Sequence, residues 1–295
     1  FHRQAHGLVP PNGVRVHVSG IDLVRDEAGD FRVLLDKLRW PSGVSYVITN
    51  RAAMSQVLPE LFADHRIQPV ADYPSRLLAA LKASAPSNIP DPAVVVLTPG
   101  VYNSAYFEHA LLARQMGVEL VEGRDLVCAG NQVSMRTTDG QQRVDVIYRR
   151  IDDEFLDPVH FRPDSVIGCA GVLNAARAGR VTIANAVGNG VADDKLLYTW
   201  VPELIRYYLG EEPVLANAET YRLDQRDTVE WVLESLDQLV LKPVDGSGGK
   251  GIVIGPKADG KTLGELAVKV RATPGDWIAQ KPIGLSACPT LFGGP

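Results

Sequence analysis

Residues 239–255 read Leu-Val-Leu-Lys-Pro-Val-Asp-Gly-Ser-Gly-Gly-Lys-Gly-Ile-Val-Ile-Gly, which predicts two apolar strands joined by a glycine-rich loop. Glycine has no Cβ and reaches positive φ easily, so this loop can turn several backbone N–H groups toward an anion. Lys242 and Lys250 add positive charge beside it. The segment therefore predicts a phosphate-binding hairpin, with an ordinary glycine-rich hairpin as the alternative. The candidate loop residues are Gly246, Ser247, Gly248, Gly249 and Gly251.

Length and composition indicate a soluble globular protein. The chain has 295 residues, of which 45% are hydrophobic and 22% charged, enough for about two domains or three small ones. A net charge of −5 argues against non-specific nucleic-acid binding, which depends on clustered Lys and Arg. Three separated cysteines and the lack of an apolar run of ~20 residues predict a cytoplasmic protein without a disulfide framework, a zinc site or a membrane span. The sequence leaves open whether the chain forms a homo-oligomer.

Residues 1–85 predict a first domain built on an antiparallel sheet. Short runs of β-branched and apolar residues alternate with turn-forming residues, as in consecutive antiparallel strands. Helical periodicity follows at 52–62 and 73–83, and a proline-rich linker at 85–92 ends the domain. The predicted strands are 14–18, 31–35 and 44–48.

Residues 92–190 predict a second, Rossmann-like domain with a parallel sheet. The apolar strand 93–97, the amphipathic helix 104–116 and the strand 118–121 follow one another as in a β-α-β unit of a doubly wound sheet. Residues 191–295 predict a third domain, in which helices surround the glycine-rich hairpin. The fold class is therefore α/β combined with α+β.

Lysines and a strand end in the last hundred residues together predict a nucleotide site. Lys195 begins a helix, Lys242 ends the strand before the glycine loop, and a later strand ends at Gln280, Lys281, Pro and Ile283. A nucleotide held between two antiparallel sheets needs lysines and backbone donors for its phosphates and an edge strand for its base. Taken one at a time, these residues are explained equally well as surface lysines and a plain edge strand. Their order and spacing favour the nucleotide site.

Sequence blocks spread over nearly the full chain carry a family resemblance. They are Gly20–Arg25, Pro41–Tyr46, Asn50–Arg51, Leu97–Ser104, Phe107–His109, Gly117–Gly123, Tyr148–Asp153, Gly190–Lys195 and Leu241–Val244. With them the chain resembles the circularly permuted ATP-grasp family, related in layout to glutathionylspermidine synthetases. The resemblance implies a permuted ATP-grasp fold with a doubly wound subdomain. It also implies ATP, Mg²⁺ and ligation of a carboxylate to an amine through an acyl phosphate.

The resemblance places the metal site in the first domain, where this chain departs from the family pattern. Leu35 stands at the position of a metal-binding Glu, Lys37 at that of an Asn, and Thr49 at that of a further Glu. Mg²⁺ requires oxygen ligands, which leucine lacks, and a lysine repels the ion. These substitutions weaken the expectation of a family-type metal site.

Asp22 and Asp36 remain as candidate metal ligands. Successive side chains of a strand point to opposite faces, so Asp36 cannot simply replace Leu35 or Lys37 without a register slip or bulge. The alternative for Asp36 is a solvated carboxylate that pairs with Arg39.

Arg149 and Arg150 follow the strand that ends at Tyr148, where ligands of α/β domains usually bind. An arginine fork suits a carboxylate, so these two are the candidate catalytic residues that hold the acid substrate. Because strand residues alternate between faces, we expect only one of them, Arg150, to face the cleft. A solvated loop with local ion pairs to Asp152 and Asp153 is the alternative.

Two functions remain open from the sequence. One is an ATP-dependent carboxylate–amine or carboxylate–thiol ligase, with ATP or ADP and small carboxylate and amine substrates as partners. The other is a degenerate member that binds nucleotide or acts as a scaffold without turnover, which Leu35, Lys37 and Thr49 favour. No nucleophile motif is present, and His109 is predicted to be a capping or packing residue.

Overall fold

The structure, a computed structural model, describes residues 2–86, 89–245 and 249–289. The candidate loop residues Gly246, Ser247 and Gly248 lie outside this range. The strands are β1 Gly20–Arg25, β2 Phe31–Lys37, β3 Val94–Leu97, β4 Glu119–Val121, β5 Leu126–Ala129, β6 Gln132–Thr137, β7 Gly140–Arg143, β8 Val146–Arg149, β9 Thr182–Ala184, β10 Ala216–Asn217, β11 Thr220–Arg222, β12 Val240–Pro243, β13 Val253–Ile254 and β14 Trp277–Gln280. The α-helices are α1 Val44–Val57, α2 Pro59–Asp64, α3 Tyr73–Ala83, α4 Tyr106–Met116, α5 Asp153–Leu156, α6 Val172–Arg177, α7 Lys195–Leu209, α8 Arg226–Glu234 and α9 Gly260–Ala272.

The chain divides into two compact units whose segments interleave in sequence. The first unit comprises Phe1–Gly20 and Leu38–Gly190, and the second comprises Ile21–Lys37 and Val191–Pro295. The strands β1 and β2 therefore belong with the C-terminal part of the chain. The segment 1–85, predicted as one domain, is shared between the two units.

The first unit contains a parallel sheet in the order β4-β3-β8-β9. Alternate residues of β3 pack on opposite faces: Val96 packs with α3 and α4, and Val95 packs with α6. Both faces are covered, which explains why β3 and the first three residues of β8 are continuous apolar runs rather than alternating ones. The predicted β-α-β unit is confirmed, and a three-stranded sheet, β5-β6-β7, accompanies it.

The predicted strand at 44–48 is wrong, because Val44 begins helix α1. The β-branched residues of this segment favour a strand locally, but a tertiary contact overrides that preference. The Glu108 carboxylate accepts hydrogen bonds from the N–H groups of Gly43 and Ser45, at 2.7 and 3.1 Å, and so satisfies the free donors of the first turn. The predicted strand at 14–18 also lies outside the strands of the structure.

The second unit contains two sheets. In one, β2 lies between β1 and β10, with β10 parallel to β2. The other is antiparallel, in the order β11-β14-β12-β13, and packs against α8 and α9 around Leu241 and Ala279. The Tyr198 hydroxyl of α7 donates to the Val33 carbonyl of β2 at 2.6 Å, which ties that helix to the first sheet.

Strand β14 is an interior strand, so the predicted edge strand at Gln280 is wrong. It pairs with β11 on one side and with β12 on the other, and Gln280 lies opposite both Thr220 and Val240. β11 carries too weak a sequence signal to be predicted, because only three residues form it. The main chain becomes irregular only at Lys281, beyond the sheet.

Candidate functional site

Lys195 is the first residue of α7, and its backbone and side chain both contact the segment that follows β12. The Asp194 side chain caps the helix. The Lys195 N–H donates to the Val244 carbonyl at 3.3 Å, and its Nζ donates to the Asp245 carbonyl at 3.2 Å. A cation at a helix N-terminus opposes the helix dipole, so the location has a small electrostatic cost. The contacts place this ammonium group beside the start of the glycine loop.

Lys242 lies near the end of β12 and shares this location. Its Nζ donates to Gln280 Oε1 at 2.5 Å, a neutral acceptor. Burial lowers the pKa of Lys242, and repulsion from Lys195 lowers it further. Burial also lowers the pKa of Lys195, against the opposing effect of Asp245 and Asp194. Two partly buried ammonium groups that repel each other form a site at which an anion is stabilised.

The described part of the glycine loop has the backbone expected for an anion-binding turn. Gly249 and Gly251 adopt φ values of 76° and 77°. A Cβ on Gly251 would lie 3.1 Å from Pro243 Cγ, so a larger residue is disfavoured by both conformation and contact. The flanking strands pair as a hairpin, with Leu241 opposite Val253, as the sequence predicts.

The remaining nucleotide candidates lie at and after the end of β14. The Gln280 side chain is buried and bridges two neighbours rather than facing solvent. Lys281 is exposed and forms an ion pair with Glu219 at 2.8 Å. Ile283 lies in the irregular segment that follows, where the Gly284 carbonyl accepts from the Glu27 N–H at 2.8 Å. The base-binding roles of Lys281 and Ile283 stay predictions.

The two carboxylates predicted as metal ligands, Asp22 and Asp36, have different surroundings. Asp22 is engaged by Lys37, whose Nζ lies 2.8 Å from Asp22 Oδ2. Asp36 is half-buried, its Oδ2 has no hydrogen-bond partner among the described residues, and burial and then Asp193 raise its pKa. Within residues 2–86, 89–245 and 249–289, no group of three or more acidic, His or Cys side chains is placed to hold a metal ion. A role for Asp22 or Asp36 toward Mg²⁺ stays a prediction. The alternative partner of Asp36 is also engaged elsewhere, since Arg39 pairs with Asp152.

Arg149 and Arg150 are both buried and have separate sets of partners, and the expectation that only Arg150 faces a cleft stays a prediction. Arg149 pairs with Asp153 at 2.6 Å and donates to the Asn185 carbonyl. Arg150 pairs with Glu108 at 2.8 Å. Neither belongs to a solvated loop, and each already has a carboxylate partner from this chain. A role for them toward a substrate carboxylate stays a prediction.

Sequence reasoning missed the part played by Glu108, although a signal was present. Glu108, Leu112 and Met116 are spaced four residues apart on α4 and share one face of the helix. That face is buried, so a carboxylate on it requires partners within the fold. Thr220 was missed because the strand that carries it is too short to be recognised.

A comparison with protein families identifies the fold. The family profile described as a circularly permuted ATPgrasp matches residues 1–280. This chain belongs to the circularly permuted ATP-grasp family. In this permuted chain, β1 and β2 precede the segment with which they fold.

Similar proteins of the permuted ATP-grasp family occur in several bacteria. An uncharacterized protein of Mycobacterium tuberculosis (strain H37Rv) is 64% identical over 294 residues, which are 100% of this chain and 53% of that protein. An uncharacterized protein of Synechocystis is 52% identical over 293 residues, or 99% of this chain and 61% of that protein. A protein of Frankia casuarinae, provisionally named a glutamate–cysteine ligase, is 47% identical over 296 residues, or 97% of this chain and 33% of that protein. The chain thus spans about half the length of the mycobacterial relative.

A solved structure shares the fold at low sequence identity. The apo form of a glutathione synthetase-like effector from Globodera pallida superimposes with a TM-score of 0.56 and 12% identity, over 93% of this chain and 63% of that one. At this identity the match concerns the fold alone.

No helix among the described residues is long and apolar enough to cross a membrane.

Proposed function

We propose that this chain binds ATP at Lys195 and Lys242 and forms the nucleotide-binding part of an ATP-dependent ligase. The observation that carries the proposal is the shared location of two partly buried, mutually repelling ammonium groups beside a glycine loop. Burying like charges is costly unless a counter-charge arrives. A polyphosphate supplies that counter-charge, and membership of the ATP-grasp family supports ATP as its source.

Different residues of the proposed site bind the phosphates and the base of the nucleotide. Lys195 and Lys242 bind the phosphates, and the loop at Gly249–Gly251 closes over them with backbone donors. The segment from Lys281 to Ile283 offers its main chain to the base. When bound, ATP supplies the phosphoryl group that activates a carboxylate for attack by an amine. The provisional name of the Frankia relative supports small carboxylate and amine substrates for the longer protein.

A second candidate function is nucleotide binding without ligation. The ion pair between Lys37 and Asp22 favours it, because it occupies a carboxylate that a metal-dependent ligase would need free. Steady release of ADP in the presence of ATP, amino acids and a thiol supports the ligase. Saturable ATP binding without ADP release supports the second candidate.

Thermal unfolding with ATP and with ADP tests the nucleotide site. A ligand at ~100 times its dissociation constant, bound only to the folded state, adds about 2.7 kcal/mol of stability, which is readily seen as a higher melting temperature. Lys242→Met should remove most of this shift, because the phosphate loses a charged partner. Lys261→Met, at an exposed position on α9, is the matched control and should keep it. The proposal is wrong if the unmodified chain shows no shift with either nucleotide at millimolar concentration.

A further inference from the structure

We propose that Gln280 and Thr220 are positioning residues that hold the Lys242 ammonium group in place for a nucleotide phosphate. This inference rests on the proposed function and adds two residues to it. Neither side chain needs to contact the nucleotide. Each acts through Lys242.

The sheet register brings the three side chains together. Gln280 of β14 lies directly opposite Thr220 of β11 and opposite Val240 of β12. Lys242 follows Val240 by two residues, so it points to the same face of the sheet. Directly opposite and diagonal neighbours on one face are within reach of long side chains. The contact between Lys242 and Gln280 is therefore a property of the antiparallel register.

The hydrogen bonds of Lys242, Gln280 and Thr220 form a chain in which each side chain donates to the next. Thr220 Oγ1 donates to the Ala218 carbonyl at 2.7 Å, so its hydroxyl hydrogen is already used. It therefore accepts from Gln280 Nε2, 3.0 Å away. This fixes the amide so that Oε1 faces Lys242, which donates to it at 2.5 Å. A buried amide held at both ends has one orientation, and the ammonium group keeps two further N–H donors for a phosphate.

The site keeps a net positive charge at Lys242 because the acceptor in this chain of bonds is a neutral amide. The charged groups around it are Lys195 on α7, which repels it, and Asp194 and Asp245, which lie beside Lys195. Glu219 and Lys281, next to Thr220 and Gln280, form an ion pair with each other. A carboxylate at position 280 would offset the positive charge of Lys242, whereas the amide orients the ammonium group and leaves that charge available to a phosphate.

Isothermal titration of the full chain with ADP tests the inference. Thr220→Val keeps the volume and the β-branch but cannot accept the bond from Gln280. It should weaken ADP binding about three- to tenfold, the effect of losing one buried hydrogen bond. Gln280→Met should do the same. Thr262→Val, at an exposed position on α9, is the control and should leave the affinity unchanged.

The pH dependence of ADP affinity separates positioning from general damage. Affinity should fall as pH rises through the pKa of Lys242, because only the ammonium form attracts phosphate. In Gln280→Glu, which is nearly isosteric, a carboxylate raises the pKa of Lys242. The affinity near neutral pH should fall, and its alkaline loss should move to higher pH. A purely structural role would lower affinity by the same factor at every pH.

The outcomes distinguish this inference from the proposed function. If the unmodified chain does not bind ADP, the proposed function has failed. If it binds ADP, and Thr220→Val and Gln280→Glu bind as tightly with the same pH profile, the positioning role is overturned while the nucleotide site stands.

Discussion

At the scale of single residues, His109 shows how burial sets a protonation state. It is fully buried on α4, and its Nδ1 lies 2.9 Å from Thr98 Oγ1. The Gly100 N–H donates to the same Oγ1, so the Thr98 hydroxyl can donate its hydrogen to the ring. Burial, and secondarily the positive charge of Arg150, lower the pKa of His109 to about 3. The predicted packing role of His109 agrees with this environment.

We expect His109 to make the protein less stable in mild acid. Its pKa is lowered in the folded state, so the unfolded chain binds more protons below pH ~6.5, and stability falls as pH falls. Between pH 7 and pH 5 this residue should remove about 2 kcal/mol from the free energy of unfolding. Urea unfolding of His109→Gln should show a pH dependence smaller by that amount. Burial also lowers the pKa of His17. This residue is present in both proteins, so its contribution to the pH dependence cancels in the comparison.

His160→Gln provides the control, since His160 is only half-buried. Its pH dependence should equal that of the unmodified chain. An equal pH dependence in His109→Gln and His160→Gln would show that His109 is accessible to protons in the folded state.

At the scale of elements, the Glu108–Arg150 pair links helix α4, strand β8 and the start of α1. Glu108 accepts from the N–H groups of Gly43 and Ser45 and from the Ser45 hydroxyl, and its other oxygen accepts from Arg150. Arg150 also donates to the Pro41 carbonyl at 2.6 Å. The Glu108 carboxylate thus stabilises the first turn of α1, whose local sequence favours a strand.

Glu108→Gln should destabilise the first unit by about 3–5 kcal/mol, because it leaves Arg150 buried without its counter-charge. Urea unfolding measures the loss. Hydrogen exchange at the Ser45 amide should also accelerate, since that N–H loses its carboxylate acceptor. Glu119→Gln, at an exposed position of β4, is the control. A change below about 0.5 kcal/mol in Glu108→Gln, the usual range of surface substitutions, would contradict this role.

At the scale of the whole molecule, the two lysines proposed to bind nucleotide and the two carboxylates proposed to bind metal lie in different surroundings. Lys195 and Lys242 share one location, whereas Asp22 is bound by Lys37 and Asp36 is partly desolvated. In the proposed nucleotide complex, the lysine ammonium groups supply most of the charge that neutralises the phosphates.

Nucleotide affinity should therefore depend only weakly on Mg²⁺. The ADP dissociation constant, measured by isothermal titration with millimolar MgCl₂ and with EDTA, should change little for the unmodified chain. The double substitution Leu35→Glu and Lys37→Asn supplies oxygen ligands and frees Asp22, so it should make binding tighter with Mg²⁺ than with EDTA. Lys261→Asn serves as the control. Steep Mg²⁺ dependence and steady ADP release by the unmodified chain would show that it holds the metal with other residues.

The local sequence pattern was sufficient to predict many of the strands and helices of this protein. The apolar runs predicted β3 and β8, helical periodicity predicted α3 and α4, and glycine chemistry predicted the hairpin between β12 and β13. Lys195 and Lys242 could be selected as a pair because both stand at element boundaries, which periodicity and glycine mark. These features depend on residues within a few positions of one another, so the sequence contains the information needed to predict them.

Tertiary structure decided the rest, because the deciding contacts join residues distant in the chain. Glu108 accepts a hydrogen bond from Gly43, 65 positions away in sequence, and stabilises a helix in a segment of strand-forming residues. Gln280 meets Thr220 across 60 positions, which places β14 inside its sheet and orients Lys242. The sequence by itself determined the fold class and indicated that Lys195 and Lys242 lie beside the glycine loop. The folded chain determined which strands are interior and which charges are already paired, since register and burial exist only after folding.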